Sequence, residues 1–128
     1  MSNEPIVKPM TVVPPEQVPR SPGATIQVLL GPADGMPNFH TRLFTLEPGA
    51  RIPEHRHDTI EHEQVVLDGE MAIALDGAER VAQKGDCVYI PAGCAHWYEN
   101  RGASPCRFIC IIPAGIEYGT EWLEEAPG

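Results

Sequence analysis

A chain of 128 residues, 42% hydrophobic and 21% charged, has the size and composition of one soluble globular domain, long enough for one core but not for two. Its formal net charge of −9 argues against nucleic acid or an anionic membrane as a partner, and no apolar run approaches the roughly 18 residues of a membrane helix. Fourteen prolines and twelve glycines count against long helices and for short strands joined by tight turns. The N-terminal MSNEPIVKPM lacks the apolar centre of a signal peptide, so the expected location is the cytoplasm.

Residues 1–23 carry Pro5, Pro9, Pro14, Pro15, Pro19 and Pro22, which forbid helix over most of the segment and predict an extended arm. Ile6, Val7, Met10, Val12 and Val13 are interleaved, so the arm is expected to lie along the domain or a partner subunit, with a solvated tail as the alternative. Strand signals begin at Ala24. ATIQVLLG ends at Gly31, PADGMPN is a turn-rich loop, and Phe39 to Leu46 (FHTRLFTL) alternates apolar and polar residues before Pro48-Gly49. Glu70 to Leu75 and Glu79 to Ala82 flank Asp76-Gly77, a strong hairpin signal. CVYI, HWYE and the apolar run from Ser104 to Ile112 follow, each bounded by turn residues. Strands at this spacing predict an all-β, antiparallel sandwich or barrel over residues 24–113, with 114–128 as a tail covering it through Trp122 and Leu123. Cys87, Cys94, Cys106 and Cys110 form no C-x-x-C pair and are read as reduced, mostly buried thiols.

Between Gly49 and Gly69 stand three of the five histidines, His55, His57 and His62. Side chains alternate along a strand, so His55 and His57 share a face while Glu54, Arg56 and Asp58 take the other. Two imidazoles converging on one side supply the first two ligands of a transition metal; a pair of surface histidines without a metal is the alternative. His96 follows a Pro-x-Gly turn at the start of another strand.

Together these stretches resemble the cupin superfamily. Gly49, His55, His57 and Gly69 fall on the first cupin motif, G-x5-H-x-H-x(3,4)-E-x6-G. Gly85, Pro91, Gly93, His96 and Asn100 fall on the second, G-x5-P-x-G-x2-H-x3-N, after a gap of fifteen residues. The remaining position, that of the ligand glutamate, is held by His62, with Glu61 and Glu63 on the opposite face. Glu61 would fit a shorter spacing from His57, but His62 keeps the spacing to Gly69, and a one-residue slip would turn every side chain over. PNFHTRLFTLEPG and FICIIPAG are similar to a subset of small cupins with four histidines around the metal, often manganese. The resemblance implies a single-domain cupin barrel of the jelly-roll type, one divalent transition metal per chain (manganese first; iron, zinc or nickel as alternatives) on His55, His57, His62 and His96, and a homodimer.

Four neutral imidazoles would leave the charge of a divalent ion uncompensated and make it a strong electrophile. Strand parity places Gln64 with His62 and Tyr98 with His96, and the resemblance puts Phe108 and Cys110 in the pocket as well. His40 is read as a non-ligand, and no residue stands out as a general base. The expected activity is that of a metal-dependent oxidoreductase, dioxygenase-like, on a small organic substrate. The alternatives are a non-redox Lewis-acid isomerase, cyclase or lyase, and a non-enzymatic metal or ligand binder.

Overall fold

Short antiparallel strands make up nearly all of the computed structural model, which describes residues 4–125. They are β1 (Glu16–Gln17), β2 (Ala24–Leu30), β3 (Phe39–Leu46), β4 (Arg51–Arg56), β5 (His62–Asp68), β6 (Glu70–Leu75), β7 (Ala78–Gln83), β8 (Cys87–Ile90), β9 (His96–Glu99), β10 (Cys106–Pro113) and β11 (Glu121–Trp122). Helical structure among the described residues is confined to two 3-10 turns, Met10–Val12 and Pro32–Asp34, and no helix is long and apolar enough to cross a membrane. The predicted all-β class and most strand limits agree with this within a residue or two.

The strands form two sheets, one ordered β1-β2-β3-β10-β5-β8 and the other β11-β4-β9-β6-β7. Period-two alternation decides which faces meet. On β10, Cys106, Phe108, Cys110 and Ile112 are buried while the residues between them are only partly so. On β5, His62, Gln64 and Val66 turn inward and Glu63 and Val65 outward. The inner faces close on a single apolar cluster that includes Leu46, Ile52, Ile60, Met71, Ile73, Ile90 and Phe108, giving the jelly-roll barrel.

Turn chemistry holds the strand ends. Asp76 and Gly77 both adopt positive φ, as a two-residue hairpin between β6 and β7 requires. Gly69 joins β5 to β6 at φ +73°, where an added Cβ would stand 2.5 Å from the Pro105 carbonyl oxygen, so no larger residue fits. Asn100 is fully buried. Its Nδ2 donates to the carbonyls of Leu46 (2.9 Å) and Ser104 (2.8 Å), and its Oδ1 accepts from Gly102 N (2.9 Å), which holds the β9–β10 loop together and ties it to the end of β3.

Both flanking segments reach the barrel. The arm adds β1 to the edge of β2, Gln27 donates to the carbonyls of Val13 and Met10, and Lys8 pairs with Asp34 at 2.8 Å. This part of the arm therefore lies along its own domain. In the tail, β11 pairs with β4, bringing Trp122 opposite His55. Arg56 and Arg51 hold Glu121 and Glu124 in two-pronged ion pairs. Residues 1–3 of the expected arm and 126–128 of the expected tail lie outside the described residues.

Candidate metal centre

The two sheets bring four imidazoles together inside one end of the barrel. β4 and β9 are neighbours, with His55 directly opposite His96 and their ring centroids 4.3 Å apart. His57 follows β4, and its carbonyl accepts from Gly93 N of the Pro-x-Gly turn, which fixes the chain just before His96. His62 comes from the other sheet, its ring centroid 5.2 Å from that of His57 and 5.5 Å from that of His96. His55, His57 and His96 form a set whose ligand nitrogens all lie within 4.8 Å of one another; His62 is not part of that set. It is nevertheless 4% exposed and lines the same cavity. Glu61 points outward and accepts from the Tyr89 hydroxyl at 3.0 Å, and Glu63 is likewise on the outer face.

Hydrogen bonds set the tautomers. Nδ1 of His55 faces the Pro53 carbonyl (2.8 Å), that of His57 the Gly119 carbonyl (3.0 Å) and that of His96 the Cys94 carbonyl (2.9 Å). A carbonyl only accepts, so each Nδ1 carries the proton and leaves its Nε2 lone pair free, the arrangement of a ligating histidine. His62 differs: its Nδ1 is buried without a partner.

Burial keeps the cluster neutral. It lowers His55 to about 4, with His57 and Arg42 adding repulsion. Burial again, followed by neighbouring charge, brings His96 to about 3 and His62 to about 2, and lowers His57 as well. Neutral nitrogen donors and an orphaned buried nitrogen fit a divalent transition-metal ion.

The cavity around them measures about 150 Å³ and has no aspartate or glutamate among its lining residues. Of the pocket residues expected from sequence, Gln64, Tyr98 and Cys110 line it. Gln64 Nε2 donates to the Tyr98 hydroxyl (2.7 Å) and to Cys110 Sγ (3.4 Å), while its Oε1 is buried and unpaired. Burial, reinforced by Cys110, pushes the Tyr98 hydroxyl well above the ordinary phenol range, so it stays protonated. Phe108 departs from expectation. It is fully buried behind the wall, its ring stacked between Tyr98 and Phe44 at 5.1 Å from each, and Phe44 lines the cavity in its place.

Sequence reasoning missed Arg42, which enters from β3, and the rim supplied by Val18, Pro19, Tyr118, Thr120 and Trp122. Parity along FHTRLFTL could have found Arg42, because it shares a face with Phe44 and Leu46. Nothing local announces the rim, which exists only because residues 18–19 and 118–122 are brought to the same cavity. His40 is not among the lining residues.

The profile of the cupin domain family matches residues 42–112. Among curated proteins, MJ1618 of Methanocaldococcus jannaschii is 34% identical over 77 residues, covering 59% of this chain and 62% of that protein. The tetracenomycin polyketide synthase protein TcmJ of Streptomyces glaucescens is 25% identical over 91 residues, covering 70% of this chain and 61% of that protein. The chain thus spans about three fifths of the length of these two relatives. Among solved structures, the polyketide cyclase RemF of Streptomyces resistomycificus superposes with a TM-score of 0.84 at 28% identity, over 97% of this chain and 90% of that one.

Proposed function

The chain belongs to the cupin domain family, and we propose that within it this protein is a metal-dependent cyclase that closes a ring in a polyketide-type, β-dicarbonyl substrate. The observation that carries this reading is the nearly end-to-end likeness to a polyketide cyclase, which extends to the arm and tail that rim the cavity. It favours the non-redox alternative over the dioxygenase-like reading placed first from sequence.

His55, His57, His62 and His96 would hold one divalent ion, manganese by the resemblance to four-histidine cupins, with iron, zinc and nickel as the alternatives that imidazole also suits. Such an ion supplies positive charge that polarises a carbonyl or enol oxygen. The other tasks fall to the chain itself. The cavity has room for about one ring, the size of void that takes a benzene. Ile26, Phe44 and Ile52 give it an apolar wall that excludes water and presses a flexible chain into a folded shape. In the closure, a carbon flanked by two carbonyls gives up its proton to water at the cavity opening and bonds to a third carbonyl carbon, whose oxygen gains a proton from a donor that water then reprotonates, so the substrate's proton count is unchanged. Tyr98, kept protonated by burial, is the donor at hand for that oxygen, and Gln64 orients its hydroxyl.

The test supplies the linear chain from a polyketide synthase system lacking a cyclase, with and without the purified protein, under air and under argon. The expected result is a ring-closed product at equal rates in both atmospheres. Turnover that consumes oxygen in proportion to product would reinstate the dioxygenase reading.

A further inference from the structure

Arg42 sits mid-strand in β3 with Val28 of β2 on one side and Cys110 of β10 on the other, and its side chain lines the cavity. One Nη donates to Cys110 Sγ at 3.0 Å, and the guanidinium carbon lies 5.2 Å from the centroid of the Phe44 ring. Its Nε is buried and makes no hydrogen bond. Lys8, Arg51, Arg56, Arg101 and Arg107 all reach carboxylates; among the described residues Arg42 reaches none. A thiol is a weak acceptor, so a permanently charged five-donor group is left in a partly dry cavity without a counter-charge. That is a local excess of positive charge in a chain whose net charge is −9.

A second unsatisfied atom lies beside it. Gln64, 2% exposed, contacts the same Cys110 sulfur through Nε2 and leaves its Oε1 without a partner in the same cavity. The pair offers a forked cation and, next to it, a lone acceptor.

We propose that Arg42 and Gln64 form a substrate subsite for a carboxylate flanked by an enol or phenol hydroxyl, as in the enol form of a β-keto acid or a ring-closed 2-hydroxybenzoate. The carboxylate takes the guanidinium fork and the hydroxyl donates to Gln64 Oε1. This deepens the cyclase reading and rests on it for what reacts, but not for what binds. The acid end anchors at Arg42 while the carbonyls to be joined lie toward the imidazoles.

The experiment titrates the full chain with salicylate and with its neutral amide, salicylamide, by NMR, both as purified and after dialysis against EDTA. Salicylate is expected to bind at least about tenfold more tightly in both preparations, the usual scale of a charge-assisted contact. Arg42→Gln should abolish the preference, bringing the acid down to the affinity of the amide. In 15N-labelled wild-type protein the Arg42 Nε resonance should shift with the acid and not with the amide, a readout that needs no variant to fold. Equal binding of acid and amide, no saturable binding of the acid, a preference that survives Arg42→Gln, or an unmoved Arg42 Nε overturns the subsite. A protein that prefers the acid yet closes no ring keeps the subsite and loses the cyclase reading. One that closes rings with acid and amide bound alike does the reverse.

Discussion

Replacing His62 by alanine tests which residue occupies the place of the usual ligand glutamate. Two effects of opposite sign bear on the fold. Deleting the ring forfeits the burial of a side chain that is 4% exposed, about 2 kcal/mol. The same deletion removes a buried Nδ1 that has no hydrogen-bond partner, returning about 1–3 kcal/mol. Stability should therefore change by no more than about 2 kcal/mol, or about 8 °C in Tm for a domain of this size. Metal binding has no such compensation. On the proposed four-histidine site, losing His62 should cost at least the roughly 10–100-fold typical of losing an outer-shell partner. The assay is elemental analysis of metal per chain after dialysis, run beside a thermal melt, on wild type, His62→Ala, His62→Glu and Glu61→Ala. The expected pattern is loss of metal in His62→Ala with a near-native melt, retention in His62→Glu, and no change in Glu61→Ala, whose carboxylate faces Tyr89 on the outside. A site emptied by Glu61→Ala and left full by His62→Ala would refute the reasoning.

Asn100→Ala removes three side-chain hydrogen bonds of a fully buried residue at once and should cost about 3 kcal/mol, or roughly 10 °C in Tm; a loss under about 1 kcal/mol would show that the β9–β10 loop does not depend on it. In the metal-free protein, His55 (about 4), His96 (about 3) and His62 (about 2) all lie below the ordinary 6.5. The unfolded chain then binds more protons than the folded one below pH 6.5, so stability is full above that value and is lost as pH falls toward 4, on the order of 3 kcal/mol from His55 alone. Urea midpoints that stay flat from pH 7 to pH 4 would contradict this. Glu124→Ala breaks the grip of Arg51 and Glu54 N on the tail; partly exposed contacts of this kind are worth about 1 kcal/mol or less, so limited proteolysis within residues 115–125 should speed up while Tm moves little. Light scattering should report a homodimer at micromolar concentration, and a mass near the 14.0 kDa of a single chain would end that proposal.

The strands were legible because both signals that define them are local. Phe39 to Leu46 is an apolar-rich run stopped by Pro48-Gly49, and Asp76-Gly77 takes the positive φ values that few residue pairs tolerate. The histidines were legible for the same reason, since strand parity puts His55 with His57 and His62 with Gln64 whatever the barrel does next. Parity says which side of a strand a residue takes, not how deep it lies. Phe108 and Cys110 share a face of β10, yet Phe108 is walled off by Phe44 and Tyr98 while Cys110 reaches the cavity. Arg42 looked like a polar position in an alternating strand, and only the closure of β3 against β10 and β2 left it inside without a carboxylate. The rim depended on contacts further apart still, with Trp122 paired across sixty-seven positions to His55 and Pro19 brought to the same mouth by the arm. Sequence by itself determined the strand inventory, the family motifs and the inward-facing imidazoles, because backbone dihedrals and period-two alternation act over a few residues. Depth, charge pairing and the closing of the cavity came only with tertiary structure, because they depend on which distant strands become neighbours and how much water their packing removes.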